Sequence, residues 1–257
     1  MLLKIYKSLI NDGLLVTLKK IIRYPFNNLL KYIRRRNFKK NVLCTTSVED
    51  KFIWIYKNKY WAWGTGSVSG SGSTIKYTEN LRAELPALIS SYDIKSILDA
   101  PCGDFQWMSL LLPVLKVKYI GADIVPDLIA HLNLKYKDTN TNFIRLDLIS
   151  QEFPITDLMI CRDCLFHLNY DEIKSVLSNF LNSKTQYLLV TTHKNRGAFS
   201  NKNIQTGDFR LIDLFTPPFN FPKNPLKRID DWIEPEPERE MCLFTREQVK
   251  IAIDAWN

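Results

Sequence analysis

Apolar residues recur with two different periods along the chain, and the period changes near residue 95. Before it, Leu14, Leu18, Ile21, Ile22, Leu29 and Ile33 repeat at helical spacing, with Lys19, Arg23, Lys31, Arg34 and Arg35 mostly between them. Pro25 is expected to kink or split this helix. An aromatic helix, "DKFIWIYKNKYWAWG", follows, and a further helix is expected over Glu79–Ser91. Between them, "GTGSVSGSGST" (Gly64 to Thr74) reads either as a flexible linker or as a lid over a ligand.

After residue 95 the apolar runs become short. Strands are expected at Ser96–Ala100, Lys118–Ile124, Asn142–Leu148, Asp157–Arg162 and Tyr187–Thr192. Helical patterns fill the gaps at Gln106–Leu112, Pro126–Tyr136 and Asp171–Leu181. A Pro-rich stretch, "FTPPFNFPKNP", then precedes two more strands, near Leu226–Asp230 and Met241–Thr245. Alternating strand and helix predict an α/β, Rossmann-like fold: seven strands, mostly parallel, with helices on both faces. Three zones follow: a basic amphipathic arm over 1–45, a helical cap or lid over 46–93, and a ligand-binding core over 94–257.

Charge sharpens this division. The chain of 257 residues has a net charge of +8, yet residues 1–45 hold eleven Lys/Arg and one acid, Asp12, while the rest is slightly acidic. The arm therefore suits an anionic membrane surface, or else packs on the core or on a partner with its basic face in water. The acidic remainder disfavours a nucleic-acid partner. Five cysteines give no disulfide framework, and a reducing compartment fits them. Cys161 and Cys164 have zinc-like spacing but no second pair, so packing at a strand end is the better reading and no metal is expected. No apolar run is long enough to span a bilayer, and no leader pattern opens the chain. A cytosolic protein is expected, attached peripherally to the inner face of the membrane if the arm binds lipid.

Ligands of open parallel sheets bind beyond the carboxyl ends of the strands. Asp99, Asp123 and Asp147 end the first three strands, 24 residues apart each time. An acid ending the second strand suits ribose hydroxyls, and one at the third suits an adenine amino group. The first loop, "DAPCGDF", has only Gly103, where a pyrophosphate would need several glycines for close backbone approach. This favours an adenosine-containing ligand without a pyrophosphate. S-adenosylmethionine (SAM) is such a molecule.

Over roughly residues 75–250 the sequence resembles the class I SAM-dependent methyltransferases. "ILDAPCGDF" stands at that family's first motif, "GADIV" at its ribose-binding acid, "LDL" at its adenine-side acid and "MICRDCLFHL" on its fourth strand. It is most similar to a bacterial subfamily sharing "SGSGS", "LDAPCGDFQWM", "RDCLFHL" and "TGDFR…PPFNFP", whose members often occur in surface-glycan or natural-product contexts. The resemblance implies that Asp99, Ala100, Pro101, Cys102 and Gly103 line the methionine end of SAM. Asp123 and Ile124 would hold the ribose, and Asp147 and Leu148 would bracket the adenine. Phe105 and Trp107 would cover the sulfonium, or else belong to the core. Arg82 would pair with the SAM carboxylate, or else form a surface salt bridge.

Methyl transfer to a hydroxyl needs a nearby base, and histidine is the ready choice. Of three histidines, His131 is expected on the surface. His167, with Asp163 to orient it or act itself, is the favoured base, and His193 is the next candidate. The expected activity is O-methylation of a sugar or glycan hydroxyl in surface-polysaccharide synthesis. Alternatives are a small-molecule, protein or RNA acceptor, or a non-catalytic scaffold with the same fold.

Overall fold

The strands alternate between two cores, and this alternation places the site. In the computed structural model, which describes residues 29–62, 66–195 and 197–256, strand β1 (Ser96–Asp99) turns Leu98 to one face and Ile97 to the other. In β5 (Tyr187–His193), Leu188 and Val190 oppose Leu189, and in β7 (Arg239–Thr245), Cys242 and Phe244 oppose Met241 and Leu243. Successive side chains of a strand point to opposite faces, so strands with apolar side chains on both faces must be covered on both sides.

The remaining strands are β2 (Lys118–Asp123), β3 (Thr141–Arg145), β4 (Leu158–Cys161) and β6 (Lys227–Asp230). All seven form one sheet in the order β3-β2-β1-β4-β5-β7-β6. Strands β1 to β5 pair in parallel, while β7 runs antiparallel to both β5 and β6. The chain winds outward from β1 in both directions. The crevice where such a sheet takes a ligand therefore opens at the carboxyl ends of β1, β2 and β4.

Seven α-helices are described. Helix α1 spans 29–38 and continues into a π-turn at Lys39–Leu43. The others are α2 (Val48–Lys57), α3 (Glu79–Ser91), α4 (Met108–Leu111), α5 (Pro126–Tyr136), α6 (Tyr170–Asn182) and α7 (Arg246–Asp254). The chain divides into two units, 1–46 and 47–257. Most of the expected arm, including Pro25, lies outside the described residues, as do Trp63, Gly64 and Thr65. None of the described helices is long and apolar enough to cross a membrane.

Some boundaries differ from expectation for local reasons. The third strand stops at Arg145 because Asp147 bends the chain: its Oδ1 accepts from the Ile149 N–H (2.9 Å) and its Oδ2 from the Ser150 hydroxyl (2.6 Å). The aromatic helix ends at Lys57, two residues before Lys59 at φ +46°. Helix α7 was not anticipated, although Thr245 and Gln248 form its capping box.

Candidate active site

The loop after β1 keeps its shape with one glycine because side chains do the work that further glycines would do. Cys102 N–H donates to Ala122 O (2.8 Å) and Gly103 N–H to Asp123 Oδ2 (3.3 Å), tying the loop to the end of β2. Gly103 sits at φ +54°, and a Cβ there would come within 2.5 Å of Ser69 Oγ. That hydroxyl accepts from Asp104 N–H (2.9 Å), while Asp104 Oδ2 accepts from the Ser67 hydroxyl (2.6 Å) and Val68 N–H (3.1 Å). The Gly/Ser run is therefore fastened across the loop. At its far end a Cβ on Gly72 would fall 2.5 Å from Asp163 Oδ2.

Beneath this strap lies a cavity of about 1080 Å³, counting its open mouth. Asp99, Asp123 and Asp147 all line it, as do Pro101, Cys102 and Gly103 from the first loop. Ile124 and Leu148 add apolar wall, and Trp107 closes one side. Asp99 is buried and accepts from the Tyr119 hydroxyl at 2.7 Å, and burial pushes its carboxyl up to about 7. Burial also raises Asp123, to about 6, against the opposing pull of backbone N–H donors from Val125 and Gly103.

The fourth strand delivers the other wall. After Cys161 come Arg162, Asp163 (φ +54°) and Cys164, then a 3₁₀ turn over Leu165–His167. His167 lines the cavity, and its Nδ1 lies 2.7 Å from Asp208 O. A carbonyl only accepts, so Nδ1 carries the proton and Nε2 keeps its lone pair, with no hydrogen-bond partner among the described residues. The Trp61 ring stacks on the imidazole at 4.7 Å. Burial draws the His167 pKa down to about 4, so the ring is neutral near pH 7.

One loop holds that histidine in place. Gly207 N–H donates to His167 O (2.8 Å), Arg210 N–H to Phe166 O (3.3 Å) and Arg210 Nη1 to Leu168 O (2.6 Å). The segment 206–210 thus pairs with every carbonyl from Phe166 to Leu168. It is the "TGDFR" motif, to which the sequence assigned no role.

Several expected site residues sit elsewhere. Arg82 is not among the cavity-lining residues; its Nη2 donates to Ile75 O (2.9 Å) and its Nε faces the Thr78 hydroxyl. Ala100 is buried, and its N–H pairs with Ile160 O (2.9 Å). Phe105 belongs to the core, edge-on to Tyr136 and Phe143 at 5.0 Å each. His193 is 3% exposed and outside the lining, and its Nδ1 accepts from Ile212 N–H (3.2 Å), so it fixes a loop. Asp163 does line the cavity but makes no hydrogen bond to His167, and the orienting contact comes from Asp208 O instead. Burial alone would raise Asp163, but Arg162 and Arg239 hold it below the usual carboxylate range. His131 is exposed, as expected, and Cys161 and Cys164 are free and buried.

Arg162 was the residue most clearly missed. It fits Asp231, 1% exposed, with a two-pronged pair: Nε to Oδ2 at 2.8 Å and Nη2 to Oδ1 at 2.9 Å. Its position beside Asp163 at a strand end was the available signal.

No family model matches the sequence, and no curated protein matches it. Solved structures do. A 1,6-didemethyltoxoflavin-N1-methyltransferase from Burkholderia thailandensis, with bound 1,6-didemethyltoxoflavin and S-adenosylhomocysteine (SAH), is 14% identical with a TM-score of 0.55, over 77% of this chain and 86% of its own. A magnesium protoporphyrin IX methyltransferase from Synechocystis PCC 6803, with bound SAM, is 11% identical with a TM-score of 0.54, over 79% and 99%. The chain has the Rossmann-like fold of class I methyltransferases.

Proposed function

We propose that the chain is a SAM-dependent methyltransferase acting on a hydroxyl of a sugar, glycan or other small-molecule acceptor. The observation that carries this reading is the unpartnered Nε2 of His167, in a cavity shared with Asp99 and Asp123, at the ends of β1 and β2, and with Gly103 in the loop after β1.

The residues suit the cofactor. Asp123 presents a carboxylate to ribose hydroxyls, with Ile124 and Leu148 as apolar wall for an adenine ring. Bound SAM would supply a methyl group on a positively charged sulfur, an electrophile that needs no acid to leave.

The remaining work falls to the chain. Asp208 O fixes the His167 tautomer, so Nε2 is the atom that takes the acceptor's proton. Trp61 stacks on one face of the imidazole, where it would shield the ring from water. Holding nucleophile and methyl in line can contribute roughly 7–11 kcal/mol. The Trp61 ring beside the base offers a flat face to a sugar ring, and a lining with four aspartates suits a nucleic-acid strand poorly.

The arm supports a location. Helix α1 exposes Leu29, Tyr32 and Ile33 among Lys31, Arg34, Arg35 and Arg36, a composition that suits the anionic inner face of a membrane, where lipid-linked glycans are assembled. The test is transfer of labelled methyl from SAM to a panel of nucleotide sugars, glycans and small phenols. Labelled sugar product supports the reading. Label on phenols alone narrows the acceptor to small molecules other than sugars, and no label on any acceptor despite SAH binding favours a non-catalytic scaffold.

A further inference from the structure

We infer that Arg162 is the cofactor's carboxylate anchor: it receives the α-carboxylate of the amino-acid end of SAM through Nη1. This rests on the SAM reading above and deepens it.

The described cavity wall contains four carboxylates, Asp99, Asp123, Asp147 and Asp163, and one Lys or Arg, which is Arg162. A ligand that brings its own carboxylate into such a place meets repulsion unless a cation or hydrogen-bond donor receives it. Arg82 lies outside the lining, so Arg162 is the described cationic side chain in position to do so.

Its hydrogen bonds show which part of the guanidinium is available. Nε and Nη2 are committed to Asp231, and Nη2 also donates to Gly72 O at 2.7 Å. Nη1 makes no hydrogen bond among the described residues and stands 3.4 Å from Asp163 Oδ2. Asp163 has a closer partner in Arg239 Nη2 at 2.9 Å, so it does not depend on Nη1. Two arginines and two aspartates balance in charge, and what remains is the donor capacity of one nitrogen on a fixed plane. The guanidinium carbon lies 5.7 Å from the Trp107 ring centre, which puts it at the first-loop end of the cavity. That is the end where the loop approaches the ligand through Gly103. Because Nη2 also holds Gly72 O, the strap and the ligand would share one arginine.

The test compares two ligands by calorimetry. SAH carries the amino-acid end, and 5′-methylthioadenosine keeps the adenosine and thioether without it. Arg162→Gln should weaken SAH by roughly 10- to 100-fold, the range for a hydrogen bond to a charged group, and leave methylthioadenosine unchanged. Because Arg162→Gln strands the Asp231 carboxylate, the double variant Arg162→Gln/Asp231→Asn is measured beside it. The wild-type protein gives an independent readout: decarboxylated SAH should bind it 10- to 100-fold more weakly than SAH. Equal affinity of wild type for these two ligands overturns the proposal, as does equal weakening of SAH and methylthioadenosine by the variants. Wild type binding neither SAH nor methylthioadenosine overturns the SAM reading, and the anchor with it.

Discussion

The ring of Trp61 lies over the imidazole of His167, centroids 4.7 Å apart and planes 26° from parallel. This contact helps bury a ring whose pKa is drawn down to about 4, chiefly by loss of water. Trp61→Ala should readmit water and move that pKa up toward the ordinary 6.5 of histidine. An NMR titration of His167 checks it: the midpoint rises in Trp61→Ala and stays near the wild-type value in Trp61→Phe. An unchanged midpoint in Trp61→Ala would show that other groups bury the ring.

Asp123 offers a charged acceptor whose pKa is raised to about 6. Asp123→Ala should weaken SAH binding by roughly 2–3 kcal/mol, as expected for hydrogen bonds to a charged group. In the wild type, SAH affinity should fall as pH drops through about 6, because protonation removes the charge. Calorimetry at pH 5 and 8 reads both effects, and the step near 6 should be absent from Asp123→Asn.

Asp99 makes a prediction about stability. Its folded pKa of about 7 lies above the 3.8 of an unperturbed aspartate, so the folded chain holds an extra proton between these values. The resulting stabilisation is complete below 3.8 and is lost as pH rises through 7. At one pKa unit per 1.36 kcal/mol the loss is about 4 kcal/mol at most. Asp99→Asn, which cannot ionise, should therefore gain on the wild type in denaturant unfolding as pH rises from 5 to 8.5. A difference between the two proteins that does not vary with pH would reject the raised pKa.

Removing residues 1–46 should abolish binding to phosphatidylserine-containing vesicles and leave SAH affinity unchanged. Each Lys or Arg near such a surface contributes up to about 1 kcal/mol, so binding by the full chain should also weaken with salt. Sedimentation with anionic and neutral vesicles measures it. Equal binding by both forms of the protein would remove the arm's proposed role.

The sequence made the central sheet legible because strands such as Ser96–Asp99 and Leu158–Cys161 are short, largely apolar runs, and the acids Asp99 and Asp123 at the ends of β1 and β2 followed directly from it. Gly103 and Asp123, expected at the site, do line the cavity, because the position of the backbone settles where they fall. Where the direction of a side chain decides, the pattern along the chain left two readings open. Arg82 lies on a helix whose orientation toward the sheet has no signature in the pattern, and it braces Ile75 O and Thr78. Phe105 follows the glycine of the loop, yet its ring turns inward to Tyr136 and Phe143. His167 lies just beyond β4 and His193 ends β5, and what separates them is a partner far away: Asp208 O for one, Ile212 N–H for the other. Those partners come from a stretch with no periodicity, and only the folded chain brings them together.

The most direct test of the account is methyl turnover by His167→Ala against wild type, each saturated with SAM and an acceptor from the panel. If His167 is the base, turnover should fall about 10²–10⁴-fold, the range for a general base, with SAH affinity nearly unchanged and His193→Ala close to wild type. Full turnover by His167→Ala would contradict it, because proximity alone would then suffice and the hydroxyl acceptor would lose its support.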